Sequence, residues 1–198
     1  MFSNDHPYIV DHIIKDGCAD ISDQKIEKGD ELISVDGVKT EPNQNREYYF
    51  MKSAIPDEMV LGFKHGMKEF KVKIHPSSYN SMQGNLYDEW IDDNRTRVDE
   101  LSNNQIGYVY MKDMTDNSLT KFEQEMVSDS INQRKGLILD LRYNTGGNVH
   151  DKVLQFLSQR PYLQWKYRDG KMSPQPDFAP AAKPIILLVN EQTLSDGE

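Results

Sequence analysis

The alternation of apolar and polar positions divides the chain into two stretches with different periods. Residues 7–14 (PYIVDHII) carry an apolar run suited to a strand, and residues 15–22 (KDGCADIS) form a turn region rich in Gly and Asp. In residues 29–40 (GDELISVDGVKT), Leu32, Ile33 and Val35 stand between Gly29-Asp30 and Asp36-Gly37. Asp-Gly between two β-prone runs is a hairpin signal, because glycine accepts a positive φ without a Cβ clash. Residues 43–54 follow Pro42 and have helix-compatible composition, so one short helix is expected over about 46–54. Residues 59–76 give two strands around a His65-Gly66 turn, closing with period-two alternation at Phe70, Val72 and Ile74. Pro76 and the polar run 77–85 (SSYNSMQGN) mark a boundary.

Beyond that boundary the period lengthens. Leu86, Trp90, Val98 and Leu101 recur at roughly helical spacing with charges between them. Residues 106–111 read as a strand, and residues 118–131 as a helix with Ser118 as N-cap. Residues 136–142 (GLILDLR) are nearly continuous in apolar character, as in a strand buried on both faces. Residues 148–160 are helical, with Val149, Val153, Phe156 and Leu157 on one face. Residues 184–190 (PIILLVN) read as a second buried strand, and 195–198 (SDGE) as the start of another helix. The Pro-rich segment 168–184 reads as an exposed loop. Strands alternating with helices indicate βαβ units and a mostly parallel sheet. The expected architecture is therefore a small β-rich domain over 1–77, followed by part of an α/β domain over 78–198.

Composition narrows the functional classes. A net charge of -9, from 23 basic and 32 acidic residues, argues against non-specific nucleic-acid binding. No stretch approaches the ~20 apolar residues needed to cross a bilayer. The start, MFSNDHPYIV, lacks a signal-peptide pattern; an internal fragment would lack one too, so the compartment, cytoplasmic or periplasmic, stays open. The single Cys18 excludes an intramolecular disulfide and reads as a small packed residue. Metal or cofactor binding has no motif to support it. His6 and His12 flank the first strand without forming a ligand set, and Asp88, Glu89, Asp92 and Asp93 read as a solvated helix face beside Arg95 and Arg97. Tyr48, Tyr49 and Phe50 read as the packing face of the short helix.

Chemistry concentrates at two strand-to-helix junctions. In residues 140–148 (DLRYNTGGN) the buried strand ends in Gly146-Gly147 before a helix begins. Tandem glycines there let the backbone approach a ligand and leave N–H groups at a helix N-terminus, which suits an anion or a developing oxyanion. A tight turn needing glycine for steric reasons alone reads equally well. In residues 189–198 (VNEQTLSDGE), Ser195 follows a buried strand and can present its hydroxyl where open α/β sheets place their active sites. Ser195 also reads as a plain N-cap. His150, at the helix start after Gly147, reads as exposed, although it is near enough in sequence to suggest a substitute base.

Taken together, GLILDLRYNTGGNV and KPIILLVNEQTLSDGE resemble the paired signature of the serine peptidases that include tail-specific (C-terminal-processing) and tricorn-type proteases. GDELISVDGV is similar to the most recognisable stretch of their PDZ domains, and Ser-Asp-Gly in place of Ser-Ala-Ser leans toward the tricorn branch. The resemblance implies a ClpP/crotonase-like catalytic sheet behind a PDZ-like domain. It implies Ser195 as acyl-forming nucleophile, and the N–H groups of Gly147 and Asp196 as the oxyanion hole. It implies a peptide or unfolded-protein substrate, no cofactor, and self-association into a homo-oligomer. In that family the base is a His before the PDZ domain with an orienting Glu beyond the nucleophile, or a Lys beyond it. Neither flank lies within these 198 residues, so the chain alone is expected to be an inactive fragment. The competing expectation is a non-proteolytic peptide- or ligand-binding protein on the same scaffold.

Overall fold

The computed structural model describes residues 1–54, 56–176 and 183–198. The chain forms two compact units, Met1–Trp90 and Ile91–Glu198. Its elements run β1 (Glu31–Val35), β2 (Val38–Lys39), α1 (Glu47–Phe50), β3 (Met59–His65), β4 (Lys68–Ile74) and α2 (Tyr79–Ser102). They continue with β5 (Ile106–Tyr110), α3 (Asp116–Val127), α4 (Asp129–Asn132), β6 (Gly136–Asp140), α5 (His150–Ser158), β7 (Leu163–Trp165), β8 (Ser173–Gln175) and β9 (Ile185–Leu188).

The first unit is built on an antiparallel sheet in the order β2-β1-β3-β4. Its first hairpin turns at Asp36-Gly37, with φ of 48° and 81°, pairing Val35 with Val38. That is the left-handed pair a two-residue hairpin needs. The second hairpin pairs His65 with Lys68 around Gly66. Leu32, Val35, Phe63 and Val72 lie at the centre of the core, and Tyr8, Val10, Ile26 and Tyr49 close over it. Cys18 is half-buried against the same core. Residues 7–14 form no continuous strand; they contribute isolated bridges, Val10 with Phe2 and Ile9 with Glu31. The short helix covers only Glu47–Phe50, with Tyr49 buried and Tyr48 exposed.

α2 starts at Tyr79, inside the polar run 77–85 that reads as a boundary. Ser78 Oγ accepts from Ser81 N–H at 3.1 Å, the bond that satisfies a helix-start donor. Its apolar stripe is only half-buried, and Leu101 is exposed. Its charges pair as expected for a solvated face: Arg95 with Asp92 at 3.1 Å, and Glu89 with His12 at 2.8 Å.

The second unit carries the parallel sheet β5-β6-β9 and a small β7-β8 hairpin. The mixed α/β class with a parallel sheet is the expected one. β6 lies in the centre with Leu137 and Leu139 buried, and α3 and α5 cover the core through Leu119, Phe122, Val153 and Phe156. Phe122 and Phe156 meet edge to face at 5.5 Å, an arrangement favoured by the ring quadrupoles. Three local expectations change. The cap of α3 is Thr115, whose side chain accepts from Ser118 N–H, so Ser118 sits in the first turn. Part of the segment read as a loop forms β8, while residues 177–182 of that reading lie outside the described residues. Among the described residues β9 pairs only with β6, and in place of the expected burial Ile185, Ile186 and Leu187 are 41–60% exposed.

Candidate active site

Both junctions singled out in the sequence lie in the second unit, at the carboxyl ends of adjacent parallel strands. Leu139 stands opposite Leu187 and Asp140 opposite Leu188. The chain therefore leaves the sheet at matching heights, and the two turns meet.

The organiser of that meeting is Asn144, which is fully buried. Its Nδ2 donates to Met111 O at 2.9 Å, and its Oδ1 accepts from Gly146 N–H at 2.8 Å. Its carbonyl oxygen accepts from Leu194 N–H at 2.9 Å, one residue before Ser195. Thr193, also buried, adds a second tie by donating from Oγ1 to Leu141 O at 2.9 Å. One buried residue thus joins the end of β5 and the glycine turn through its side chain, and the serine turn through its backbone carbonyl. Nothing in the local sequence pattern marked Asn144, since its role comes from three backbone segments converging on it. Replacing Asn144 with Ala leaves buried backbone groups unpaired. Urea unfolding should show a loss of about 2–4 kcal/mol, and a loss under about 0.5 kcal/mol would contradict the organising role.

Ser195 is the first residue of a 3-10 turn, Ser195–Gly197, and it has φ of 51°. The cap position belongs to Leu194, and no side chain caps the turn. The N-cap alternative is therefore excluded: Ser195 holds a strained left-handed conformation, and its hydroxyl has no hydrogen-bond partner among the described residues. Serine rarely adopts this conformation, at a cost of order 1–3 kcal/mol, and such residues cluster at active sites.

The glycines explain how the turns fit. A Cβ on Gly146 would stand 2.7 Å from Ser195 Cβ, 2.9 Å from Leu194 O and 3.5 Å from Ser195 Oγ. Gly146 is thus the residue that lets Ser195 approach, a role the sequence reading had not given it. Gly147, with φ of 154°, faces the other way, where a Cβ would stand 2.1 Å from Met114 O. Met114 N–H donates to Gly146 O, and Asn148 N–H donates to Met114 O, both at 2.8 Å. These bonds fix the turn and leave the N–H of Gly147 without an acceptor among the described residues. The N–H of Asp196 has none either.

His150, read as an exposed residue, is half-buried. Its Nδ1 lies 2.8 Å from Asp196 Oδ2, although the approach is not aligned as a hydrogen bond. The contact links the start of α5 to the turn after Ser195. Behind the site, Asp140 is buried and is held by Tyr108 Oη at 2.7 Å and by Arg142 Nη2 at 2.6 Å. Burial and the neighbouring carboxylate push the Tyr108 phenol up, and the bond to Asp140 raises Arg142. This network locks the end of β6. Among the described residues, no group of three or more His, Cys, Asp or Glu side chains could hold a metal ion.

Comparison with known proteins follows the same outline. Residues 105–198 match the family model for peptidase family S41. The chain is 28% identical over 180 residues to the tricorn protease of Thermoplasma volcanium, covering 86% of this chain and 16% of that protein. It is 35% identical over 112 residues to the tricorn protease of Thermoplasma acidophilum, covering 57% of this chain and 10% of that protein. The crystal structure of the tricorn protease superposes with a TM-score of 0.66 at 24% identity over 86% of this chain and 16% of that chain, which speaks for the fold. The chain thus spans a small part of the curated relatives it matches; it carries a peptidase family S41 match over residues 105–198 and is similar to tricorn proteases.

Proposed function

We propose that this chain supplies the nucleophile and the oxyanion donors of a serine endopeptidase or oligopeptide-processing protease. The single observation that carries the reading is the state of Ser195. It is strained and uncapped, it lies against Gly146, and among the described residues the N–H groups of Gly147 and Asp196 have no acceptor, which supports them as the oxyanion donors. In this mechanism Ser195 Oγ attacks the carbonyl carbon of the scissile peptide as a general base takes its proton. The oxygen becomes an oxyanion held by the N–H groups of Gly147 and Asp196. Collapse expels the amine, which takes up the proton from the base, and leaves an acyl ester on Ser195 that water hydrolyses.

The base and its orienting partner come from sequence outside these 198 residues, so the chain alone is inactive. Residues 1–77 serve as a PDZ-like module that accepts an extended peptide by strand addition, and residues 78–198 begin the catalytic domain. Inactivation of the full-length protein by an organophosphonate tests the class. Peptide hydrolysis should fall with time, and a peptide substrate should slow that loss by competition. Unchanged hydrolysis, or a loss no substrate can slow, would contradict the reading.

A further inference from the structure

The two oxyanion donors come from different turns. Gly147 N–H belongs to the glycine turn that runs into α5, and Asp196 N–H to the 3-10 turn Ser195–Gly197. Both must lie within about 2.7–3.1 Å of one developing charge, so the two turns have to be fixed against each other. Before Ser195 the serine turn is tied down by Leu194 N–H to Asn144 O and by Thr193 Oγ1 to Leu141 O. After Ser195, the bonds from Gly197 N–H to Leu194 O and from Glu198 N–H to Ser195 O, both at 3.0 Å, stay within the turn. Gly197 packs on Asn144, where a Cβ would stand 2.7 Å from Oδ1. Asp196, between them, is held from outside the turn at one place.

That place is His150, the first residue of α5. Val149, Val153 and Phe156 are buried in the core and seat the start of this helix. The Nδ1 of His150 is itself buried, has no hydrogen-bond partner, and lies 2.8 Å from Asp196 Oδ2. The contact is short but off the hydrogen-bond axis, so it acts as an electrostatic tether. A proton on Nδ1 attracts the carboxylate in the imidazolium and also in the neutral tautomer that carries it there. Asp196 has no other side-chain partner among the described residues. Asp151, the other carboxylate near the ring, stands 3.6 Å from Nε2 with its side chain 91% exposed, and an exposed pair of that kind contributes little. Among the described residues no hydrogen bond joins the ring to Ser195 Oγ, so His150 is not placed as its base.

We propose that His150 is a positioning residue of the oxyanion hole, an inference that rests on the reading of Ser195 as nucleophile. By holding the Asp196 carboxylate it sets the Ser195–Asp196 peptide, whose N–H is the donor, where the oxyanion forms. The donor is needed most once charge develops on the oxygen, so the effect falls on kcat.

The test is steady-state hydrolysis of an internally quenched, unstructured peptide by the full-length protein. His150→Ala should lower kcat about 10–100-fold, less than the ~10²–10³ for outright loss of a donor, with KM within about 3-fold of the parent. His150→Asn places an amide N–H near the position of Nδ1 and should restore kcat to within about 3-fold of the parent. Asp196→Ala keeps the backbone N–H and should match His150→Ala, and the double variant should be no slower than either single one. A loss in His150→Ala under about 3-fold or carried by KM, no rescue by His150→Asn, or multiplicative losses in the double variant overturns the positioning role. Ser195→Ala, measured alongside, separates the two readings. If it keeps the parent rate, the nucleophile assignment falls and the positioning role with it. If it is inactive while His150→Ala keeps the parent rate, the positioning role alone falls.

Discussion

Replacing Ser195 with Ala in the full-length enzyme should lower kcat by a factor of about 10⁴ or more, with little change in KM. The hydroxyl is asked to act only once bond formation begins, and a group that acts in the transition state alone shows this split. Its geometry makes the substitution clean. Ser195 Oγ is not a cap and has no hydrogen-bond partner among the described residues, so its removal breaks nothing in the folded state. Alanine also fits the left-handed φ no worse than serine does. Unfolding stability should therefore stay within about 0.5 kcal/mol of the parent. The isolated chain offers the complementary observation: it and its Ser195→Ala form should hydrolyse an unstructured peptide at equal, negligible rates. Cleavage by the isolated chain that vanishes in both Ser195→Ala and His150→Ala would place the base at His150 and overturn the borrowed-base mechanism.

Gly147→Ala should be the most damaging single substitution for the fold of this site. The new Cβ would stand 2.1 Å from Met114 O and 2.4 Å from Met114 C, which are backbone atoms that cannot rotate away. Met114 is itself buried and bridged to Gly147 in parallel register. At φ of 154° the conformation is also one that L side chains rarely adopt. Strain and overpacking together should cost about 3–5 kcal/mol and displace an oxyanion donor, so activity should fall with stability. Gly66→Ala is the matched control, because it too has a positive φ, 60°, but nothing within 4 Å of the added Cβ. It should cost about 1 kcal/mol. Urea unfolding of the two variants distinguishes crowding from strain; equal losses would show that the contact with Met114 does not matter.

Much of this was legible in the chain itself, for physical reasons that differ by element. Asp36-Gly37 between apolar runs specified a hairpin, because few residues tolerate its dihedrals. GLILDLR was recognisable as a central parallel strand because burial on both faces removes alternation. Ser195 and the tandem glycines stood out because their positions after such strands are restricted. Other features depend on distant partners and leave no local trace. Asn144 is polar in sequence, yet its buried side chain ties Met111 O to the N–H of Gly146. Gly146 and Gly147 look equivalent in sequence, and their roles separate only once Ser195 and Met114 flank them on opposite sides. The apolar run of β9 reads as buried because the pattern does not show what covers the faces of the strand. Residues 1–3 carry no strand signal, and Phe2 forms only an isolated bridge with Val10.

In the proposed mechanism Ser195 becomes covalently attached to the substrate carbonyl carbon, and the same attachment is expected with substrate analogues. The direct measurement is mass spectrometry of the full-length protein after reaction with an organophosphonate, followed by digestion and fragment sequencing. One adduct per chain is expected, located on Ser195, lost in Ser195→Ala and slowed in Gly147→Ala. An adduct on any other residue, or labelling that persists in Ser195→Ala, would contradict it.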